Sequence, residues 1–472
     1  LFGILVSIWS VDVVRALAPQ DVPRLGEVRV DLAVLGFAVG LSVLTGVIVG
    51  VLPAVLGSTV DLSESLKSGG RGASAAKSRR RLMSALVIGE ISVCVVLLTG
   101  AGLLIRSFAH VLSVDPGFRT DQLVTMTVSL PQAKYLWKHN SEFCVEVTSK
   151  LRELPGVTAA SAVRGVPTRE THFDCLLYIE GRPLVAKDEL PQGKARVIEP
   201  DFFKTMEIPL LEGRLFEPPD SIGKIGYTKV TICNETFAKR IFPGESPLGK
   251  RMCIVGPGID PIEIVGVVGD VKFAGLSEEP VPAFYYPEAL FPQAEFTLVV
   301  RTDVDPDSML ATVEELVLEV EPDVVITRPQ SMNEIVSESL SRERFLMLLL
   351  SAFSIGALIL SVTGHYGVMA YSVSQRRREI GIRTALGATT GQIVWKITAE
   401  GLVLAGIGLA IGVAASLGCG RLIEAELFGV ESTDPLTMTS AVGLLLLASV
   451  LAVMIPAVRG ARIHPAEVLR SE

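Results

Sequence analysis

The chain contains 472 residues, of which 49% are hydrophobic and only 20% are charged, and its mean hydropathy is +0.47. This composition is too apolar for an ordinary soluble protein of this length. The formal net charge is −8. The local basic runs are better explained by membrane orientation and anionic lipid than by nucleic acid, so we expect no nucleic-acid partner.

The apolar residues are concentrated in five runs that predict membrane-spanning helices. Each run holds roughly 20 residues or more, which is the length that crosses about 30 Å of hydrocarbon as a helix. The runs cover 32–55, 82–105, 345–371, 393–417 and 437–458. The stretch 1–17 is also apolar, but the chain begins without Met and no basic segment precedes this stretch. We interpret it as the truncated end of a helix and not as a signal peptide.

Charge asymmetry predicts the orientation of these helices. Basic residues cluster at 67–81, 376–383 and 459–470, and Lys and Arg in short loops mark the cytoplasmic side of a membrane. Alternating crossings then place 106–342 and the short segment 421–435 outside the cytoplasm.

Two segments of the chain repeat each other. Leu-Pro-Ala-Val at 52–55 aligns without a gap with Ile-Pro-Ala-Val at 455–458, and several polar positions beyond these segments also agree. This pattern predicts an internal duplication, in which 1–68 is the C-terminal transmembrane end of a first, truncated unit. Residues 69–81 then form a basic Gly/Ser-rich cytoplasmic linker to a second, complete unit.

The sequence of the second unit predicts a helix at 82–106, an external domain with a stalk at 107–342, and three helices within 343–472. Within the external domain, strands are predicted at 123–130, 229–233, 262–268 and 296–301, and helices at 141–154, 234–241 and 307–320. The predicted fold class is therefore an α-helical transmembrane bundle with a large α+β extracytoplasmic domain. The polar helical pattern of 332–344 becomes apolar at Phe345 without a breaker, so we expect one uninterrupted stalk helix there.

The segment 376–388 is a basic amphipathic stretch between two apolar runs, and it predicts a short cytoplasmic helix that a protein partner contacts. Glu379 and Arg383 lie at positions i and i+4 and can brace each other. The candidate partner-contacting residues are Arg376, Glu379, Ile380, Gly381, Arg383, Ala385, Leu386 and Gly387. The alternative is a solvated charged turn.

The motif search predicts no catalytic, cofactor or metal site. The segment 244–250 fits G-x-x-x-x-G-K, but Arg251 follows where Ser or Thr would bind magnesium, and Pro247 disrupts the turn. The sequence contains neither H-E-x-x-H nor G-x-S-x-G, and no C-x-x-C pair.

Polar residues inside the predicted spans have two interpretations. Glu90, Glu400 and His365 lie in apolar runs, where charged groups are costly and often functional. Packing among nearby Ser and Thr side chains is the simpler interpretation of both acids, and a packed histidine is favoured over a metal ligand or pH sensor. The small-residue stretch 406–420 would allow helices to approach closely at an interface between the two units, and the alternative is the ordinary glycine content of a membrane helix.

These features resemble a known family. The motif R-x-x-E-I-G-I-R-x-A-L-G-A at 376–388, within the order of one helix, an external domain and three helices, resembles the permease subunits of MacB/FtsX-type ABC transporters. The external segments 200–214 and 234–245 resemble the periplasmic core domain of that family. The duplicated layout resembles its tandem "duplicated orphan permease" branch of acidobacteria.

The resemblance implies a multi-pass protein of the bacterial inner membrane with a periplasmic domain, working by mechanotransmission. A separate cytoplasmic ABC ATPase would grip 376–388 and move the periplasmic domain for export or extrusion, so this chain would not itself be an enzyme. The implied partners are this ATPase, a second permease unit in cis or in a homodimer, the lipid bilayer and a periplasmic adaptor. The alternatives are a transmembrane signalling scaffold that activates a periplasmic partner, and a membrane-anchored binding protein without ATPase coupling.

Overall fold

The computed structural model describes residues 72–131, 137–168, 173–183, 185–217, 220, 230–255, 261–288 and 293–461, with isolated positions between 33 and 43. The predicted span at 32–55, both copies of the polar repeat tail and the basic C-terminal tail lie largely outside the described residues. The chain divides into two compact units, which are residues 1–112 with 341–472, and residues 113–340. We call them the helical unit and the external unit.

Helices and strands alternate in the external unit, and long helices make up the helical unit. In chain order, the helices with defined bounds are α1 (Gly72–Leu112), α2 (Trp137–Glu153), α3 (Phe202–Thr205), α4 (Glu235–Ile241), α5 (Pro306–Val320), α6 (Met332–Ser339), α7 (Ser341–Gln375), α8 (Arg377–Ala385), α9 (Thr390–Ile423) and α10 (Pro435–Ala461). The strands are β1 (Leu123–Ser129), β2 (Val157–Val163), β3 (Phe173–Ile179), β4 (Gln192–Ile198), β5 (Leu210–Gly213), β6 (Val230–Asn234), β7 (Arg251–Ile254), β8 (Ile262–Val268), β9 (Ala283–Pro287), β10 (Glu295–Thr302) and β11 (Val325–Ser331).

Four of the described helices are long and apolar enough to cross a membrane, namely α1 from Arg81 onward, α7, α9 and α10. They coincide with four of the five predicted spans. A capping box fixes the start of α9, because the Thr389 hydroxyl accepts the Gln392 backbone N–H while the Gln392 side chain accepts the Thr389 N–H.

Helix α1 packs closely on α9. Ile91 and Val95 of α1 are fully buried, and a Cβ placed on Gly412 of α9 would lie 2.9 Å from the Ser92 carbonyl oxygen. Part of the predicted glycine stretch therefore serves packing within this chain, whereas Gly406 has open space around it.

Two polar residues inside the spans lie against neighbouring helices. His365 of α7 is only 1% exposed. The Glu90 carboxylate lies so close to Gly364 that a Cβ at that glycine would collide with it. Both positions agree with the packing interpretation.

One half of the external unit is a layered α/β structure. Its strands run in the order β11-β1-β10-β2 with antiparallel pairing. Helix α2 packs against β2, and α5 packs against α2 and β1. The core between helices and strands includes Met126, Leu151, Leu298 and Val313, each fully buried.

The other half of the external unit is a ring of six strands. Pairing continues from β4 through β3, β7, β8, β6 and β9 and returns to β4, with β4–β9 and β6–β8 parallel. Leu177, Phe284 and Tyr286 belong to the core of this ring. Closing the ring leaves these strands without an open side between them.

The predicted α+β class is confirmed, and the seven predicted elements of the external domain appear close to their expected bounds. The prediction of one uninterrupted stalk helix is wrong. Helix α6 ends at Ser339, and the Leu340 N–H bonds to the Ser337 carbonyl in a tighter turn before α7 begins at Ser341. A helix can end through such a turn without Pro or Gly, so the sequence offered no breaker.

Candidate functional site

Helix α8 connects the end of α7 to the start of α9, within the segment where the sequence predicts a short helix. Its end is a Schellman motif, since the Ala388 N–H bonds to the Arg383 carbonyl at 2.9 Å and the Gly387 N–H to the Thr384 carbonyl at 3.1 Å. Gly387 has a φ of +94°, which a glycine adopts without steric cost. This glycine is therefore explained by the end of the helix.

The inner face of α8 is buried in the chain's own core. Ile380 is 8% exposed and clusters with Met369 of α7, Ile393 of α9 and Val453 of α10. Gly381 is buried as well. Of the candidate partner-contacting residues, Ile380 and Gly381 are therefore enclosed by the chain itself and do not offer a contact surface.

The outer face of α8 carries exposed apolar side chains. Leu386 is 82% exposed and Ile382 is 47% exposed, and Trp395 near the start of α9 is 71% exposed. Arg377 and Ala385 are exposed beside them. This face is the part of the predicted site that a partner can reach.

One ion pair lies within α8, and a second connects its N-cap residue to α9. Glu379 and Arg383 lie 2.7 Å apart, which confirms the predicted i, i+4 contact. Arg376 Nη1 donates to both oxygens of Glu400, each at 2.9 Å. The interpretation of Glu400 as a carboxylate packed among nearby Ser and Thr side chains is wrong. The Glu400 carboxylate instead binds Arg376, the N-cap residue of α8, and so connects α8 to α9.

A cavity of about 190 Å³ lies between α7, α8 and α9. Its charged lining consists of Arg376, Glu379, Arg383, Lys396 and Glu400. Sequence reasoning missed Lys396 and its neighbour Trp395. The signal was present, because a cation beside a tryptophan at the first turns of an apolar helix is typical of the membrane interface.

The G-x-x-x-x-G-K segment forms a turn between α4 and β7. The Gly249 N–H bonds to the Ile264 carbonyl at 2.9 Å, and Lys250 Nζ lies 3.2 Å from the Glu245 carboxylate. Both groups are engaged within the chain, which agrees with a structural turn. In the described ranges, no three His, Cys, Asp or Glu side chains are grouped to hold a metal ion.

Comparisons with known proteins decide the family. Residues 82–318, about half of the chain, match the MacB-like periplasmic core domain, and residues 351–465 match the FtsX-like permease C-terminal family. The chain belongs to the MacB/FtsX family of ABC transporter permeases. This membership places it in the inner membrane with a periplasmic domain.

Individual relatives are moderately similar to this permease. It is 27% identical over 282 residues to the uncharacterized ABC transporter permease YknZ of Bacillus subtilis, covering 58% of this chain and 69% of YknZ. It is 29% identical over 280 residues to the macrolide export ATP-binding/permease protein MacB of Chromobacterium violaceum, covering 58% of this chain and 42% of that MacB. Among solved structures, the periplasmic region of MacB from Actinobacillus actinomycetemcomitans is 16% identical with a TM-score of 0.32, covering 48% of this chain and 96% of that one.

The periplasmic domain predicts a side of the membrane for each end of the helices. The external unit, inserted between α1 and α7, is periplasmic. Because α7 is long and apolar enough to cross the membrane, we expect α8 on the cytoplasmic side and the loop between α9 and α10 back on the periplasmic side. The basic character of α8 agrees with this orientation.

Ion pairs fasten the periplasmic end of the helical unit through the loop 424–434. Arg106 of α1 pairs with Asp434, and Arg342 of α7 lies 2.7 Å from Glu426. Hydrogen bonds from Arg106 and Thr437 lower the pKa of Asp434 to about 2. The loop is thereby connected to two different helices.

Close packing completes this attachment. The Phe428 N–H donates to the Ser107 hydroxyl at 2.8 Å, and the rings of His110 and Phe428 have centroids 5.8 Å apart. Gly429 has a φ of +65°, and a Cβ there would collide with the His110 ring. We call this loop, with its partners on α1 and α7, the periplasmic clasp.

Proposed function

We propose that this permease couples a separate cytoplasmic ABC ATPase to its periplasmic domain and thereby exports or extrudes a substrate. The ATPase docks on the outer face of α8 and moves it. The periplasmic domain follows through α1 and α7, and the substrate need not pass between the helices. The observation that supports this proposal most is the two-sided character of α8.

The inner side of α8 makes it a suitable lever. Ile380 shares a buried cluster with α7, α9 and α10, and Arg376 is bonded to Glu400 of α9. A displacement of α8 therefore cannot occur without displacing the ends of these helices, because closely packed interiors transmit movement instead of absorbing it.

The outer side of α8 makes it a suitable docking surface. Leu386 is 82% exposed, and an apolar side chain this exposed beside arginines is typical of the centre of a protein interface. Within the earlier candidate set, Leu386, Ala385 and Arg383 would contact the ATPase. Arg376, Glu379, Ile380 and Gly381 would position α8, and Gly387 would end it.

The domain organisation and partners complete the proposal. Residues 1–68 form the end of a first permease unit, and 69–81 link it to the second unit. The second unit consists of its first helix at 82–106, the periplasmic domain with its stalk at 107–342 and the three-helix permease domain at 343–472. A second permease unit, either in cis as in the tandem branch or in a homodimer, would join this unit in the bilayer. The two units and the cytoplasmic ATPase would together form the transporter. Because one relative is named a macrolide exporter, macrolides are the first substrate class to test, and a periplasmic adaptor the first additional partner.

The test compares two apolar-to-acidic substitutions at opposite ends of the helices. Leu386→Asp changes the docking surface, and Leu422→Asp changes a side chain of nearly equal exposure, 81%, at the periplasmic end of α9. The measurement is the amount of ATPase that co-purifies with the permease from native membranes, and its ATP turnover. We expect Leu386→Asp to lose roughly tenfold or more of the bound ATPase, since hot-spot side chains contribute about 2 kcal/mol or more, and Leu422→Asp to retain it.

Equal ATPase recovery with both variants would contradict docking on α8. Both variants are compared with the unsubstituted protein by thermal unfolding, so that a loss of ATPase can be separated from a loss of folded permease.

A further inference from the structure

The cavity between α7, α8 and α9 combines an apolar floor with a charged rim. Val373, Ile380, Ile393 and Ile397 form the floor. The volume of about 190 Å³ has room for about six water molecules at about 30 Å³ each. The cavity can therefore hold a group larger than one water molecule.

Among the described residues that line the cavity, three are cationic and two are acidic. Glu379 is paired with Arg383 and Glu400 with Arg376. Lys396 also lines the cavity, and it forms no ion pair within the described part of the chain. A single anionic group would therefore complement the rim, with Lys396 as its direct partner and the guanidinium groups nearby.

The position of Lys396 along α9 matches the depth of lipid headgroups. Helix α9 has 34 residues, which is about 51 Å at 1.5 Å per residue, whereas the hydrocarbon layer is about 30 Å thick. An untilted, centred helix of this length projects about 10 Å at each side. Lys396 lies about 9 Å from the first residue of α9, and the exposed Trp395 beside it marks the same interface.

We propose that this cavity binds the headgroup phosphate of an anionic phospholipid from the cytoplasmic leaflet, with Lys396 as the recognising cation. The apolar floor receives the carbon atoms next to the phosphate. A lipid held there contacts α7, α8 and α9 together, so membrane composition would influence how firmly α8 is seated. The proposal can fail or succeed separately from ATPase docking, because lipid retention is measured without the ATPase.

The experiment measures lipid retention by native mass spectrometry of the full chain, purified in detergent and supplied with phosphatidylglycerol or phosphatidylcholine. The test variant is Lys396→Gln. The matched control is Arg377→Gln, which removes one positive charge from exposed α8 outside the cavity. Lys396→Arg keeps the charge and should keep the lipid.

We expect the unsubstituted chain, Arg377→Gln and Lys396→Arg to retain phosphatidylglycerol in preference to phosphatidylcholine. Lys396→Gln should retain about fivefold less, the effect of one basic residue near an anionic lipid surface. Equal retention by Lys396→Gln and Arg377→Gln would overturn the proposal. Competition by soluble glycerol phosphate that matches the lipid would overturn the lipid assignment, because the site would then recognise phosphate alone.

Discussion

The two ends of the helical unit are built differently. At the periplasmic end, a loop is fastened to α1 and α7 by Arg106–Asp434 and Arg342–Glu426. At the cytoplasmic end, Leu386 and Trp395 are exposed and a cavity remains open. At the periplasmic end the described residues contact one another within the chain, whereas the opposite end carries the surface and the cavity at which our two proposals place binding partners.

The largest expected difference between the two ends concerns two glycines in the left-handed conformation. Gly429 in the periplasmic clasp has a φ of +65°, and Gly387 at the end of α8 has a φ of +94°. A Cβ would collide with His110 at the first position, whereas nothing lies within 4 Å at the second. Gly429→Ala should lower the free energy of unfolding by about 3 kcal/mol, and Gly387→Ala by about 1 kcal/mol from backbone strain alone.

Thermal unfolding of both variants in detergent measures this difference. A loss of stability as large for Gly387→Ala as for Gly429→Ala would show that the clasp is no more tightly packed than the end of α8. Gly418→Ala serves as the control for a glycine with open space in a helix, and it should be neutral or slightly stabilising.

The sequence predicted local features of both ends and missed the contacts that join distant segments. The Glu379–Arg383 pair follows from helical spacing alone, and it forms. The Arg376–Glu400 pair joins residues on either side of the turn at Gly387, so its formation depends on a turn geometry that periodicity does not contain. The clasp likewise depends on contacts such as Ser107 with Phe428, 321 positions apart in sequence.

In the external unit, too, the sequence predicts local elements but not the contacts between distant strands. Strand β8 at Ile262–Val268 was predicted with its full length, because its alternating Val and Ile are a local signal. The closure of the strand ring depends on parallel pairing of β4 with β9, as in the register of Lys194 with Ala283. Pairing between strands so far apart is set by the packed core and not by the pattern of either strand.

The next prediction concerns how the stability that the periplasmic clasp contributes depends on pH. The pKa of Asp434 is about 2 in the folded protein, below the value of about 3.9 for an unfolded chain. Its contribution to stability is therefore present above about pH 4 and is lost as the pH falls through about 2. The stability difference between the unsubstituted chain and Asp434→Asn should shrink across this window.

Melting temperatures at several pH values test this dependence. Glu431→Gln is the matched control, because it neutralises an exposed acid of the same loop and should follow the unsubstituted chain. A stability difference between the unsubstituted chain and Asp434→Asn that stays constant between about pH 4 and pH 2 would contradict the role of the Arg106–Asp434 pair.

The smallest effect on stability is expected at the cytoplasmic end, from the Arg376–Glu400 pair. Its side chains are 29% and 32% exposed, so a double-mutant cycle with Arg376→Gln and Glu400→Gln should give a coupling free energy of about 1 kcal/mol or less. The effect on ATP turnover should be larger, since each single variant weakens the attachment of α8 to α9 while the proposed docking surface at Leu386 is unchanged. The expected result is normal ATPase recovery with reduced response of its turnover to the permease. If Glu400→Gln leaves that response unchanged, the movement of α8 reaches the membrane helices through the buried cluster around Ile380 and not through this ion pair.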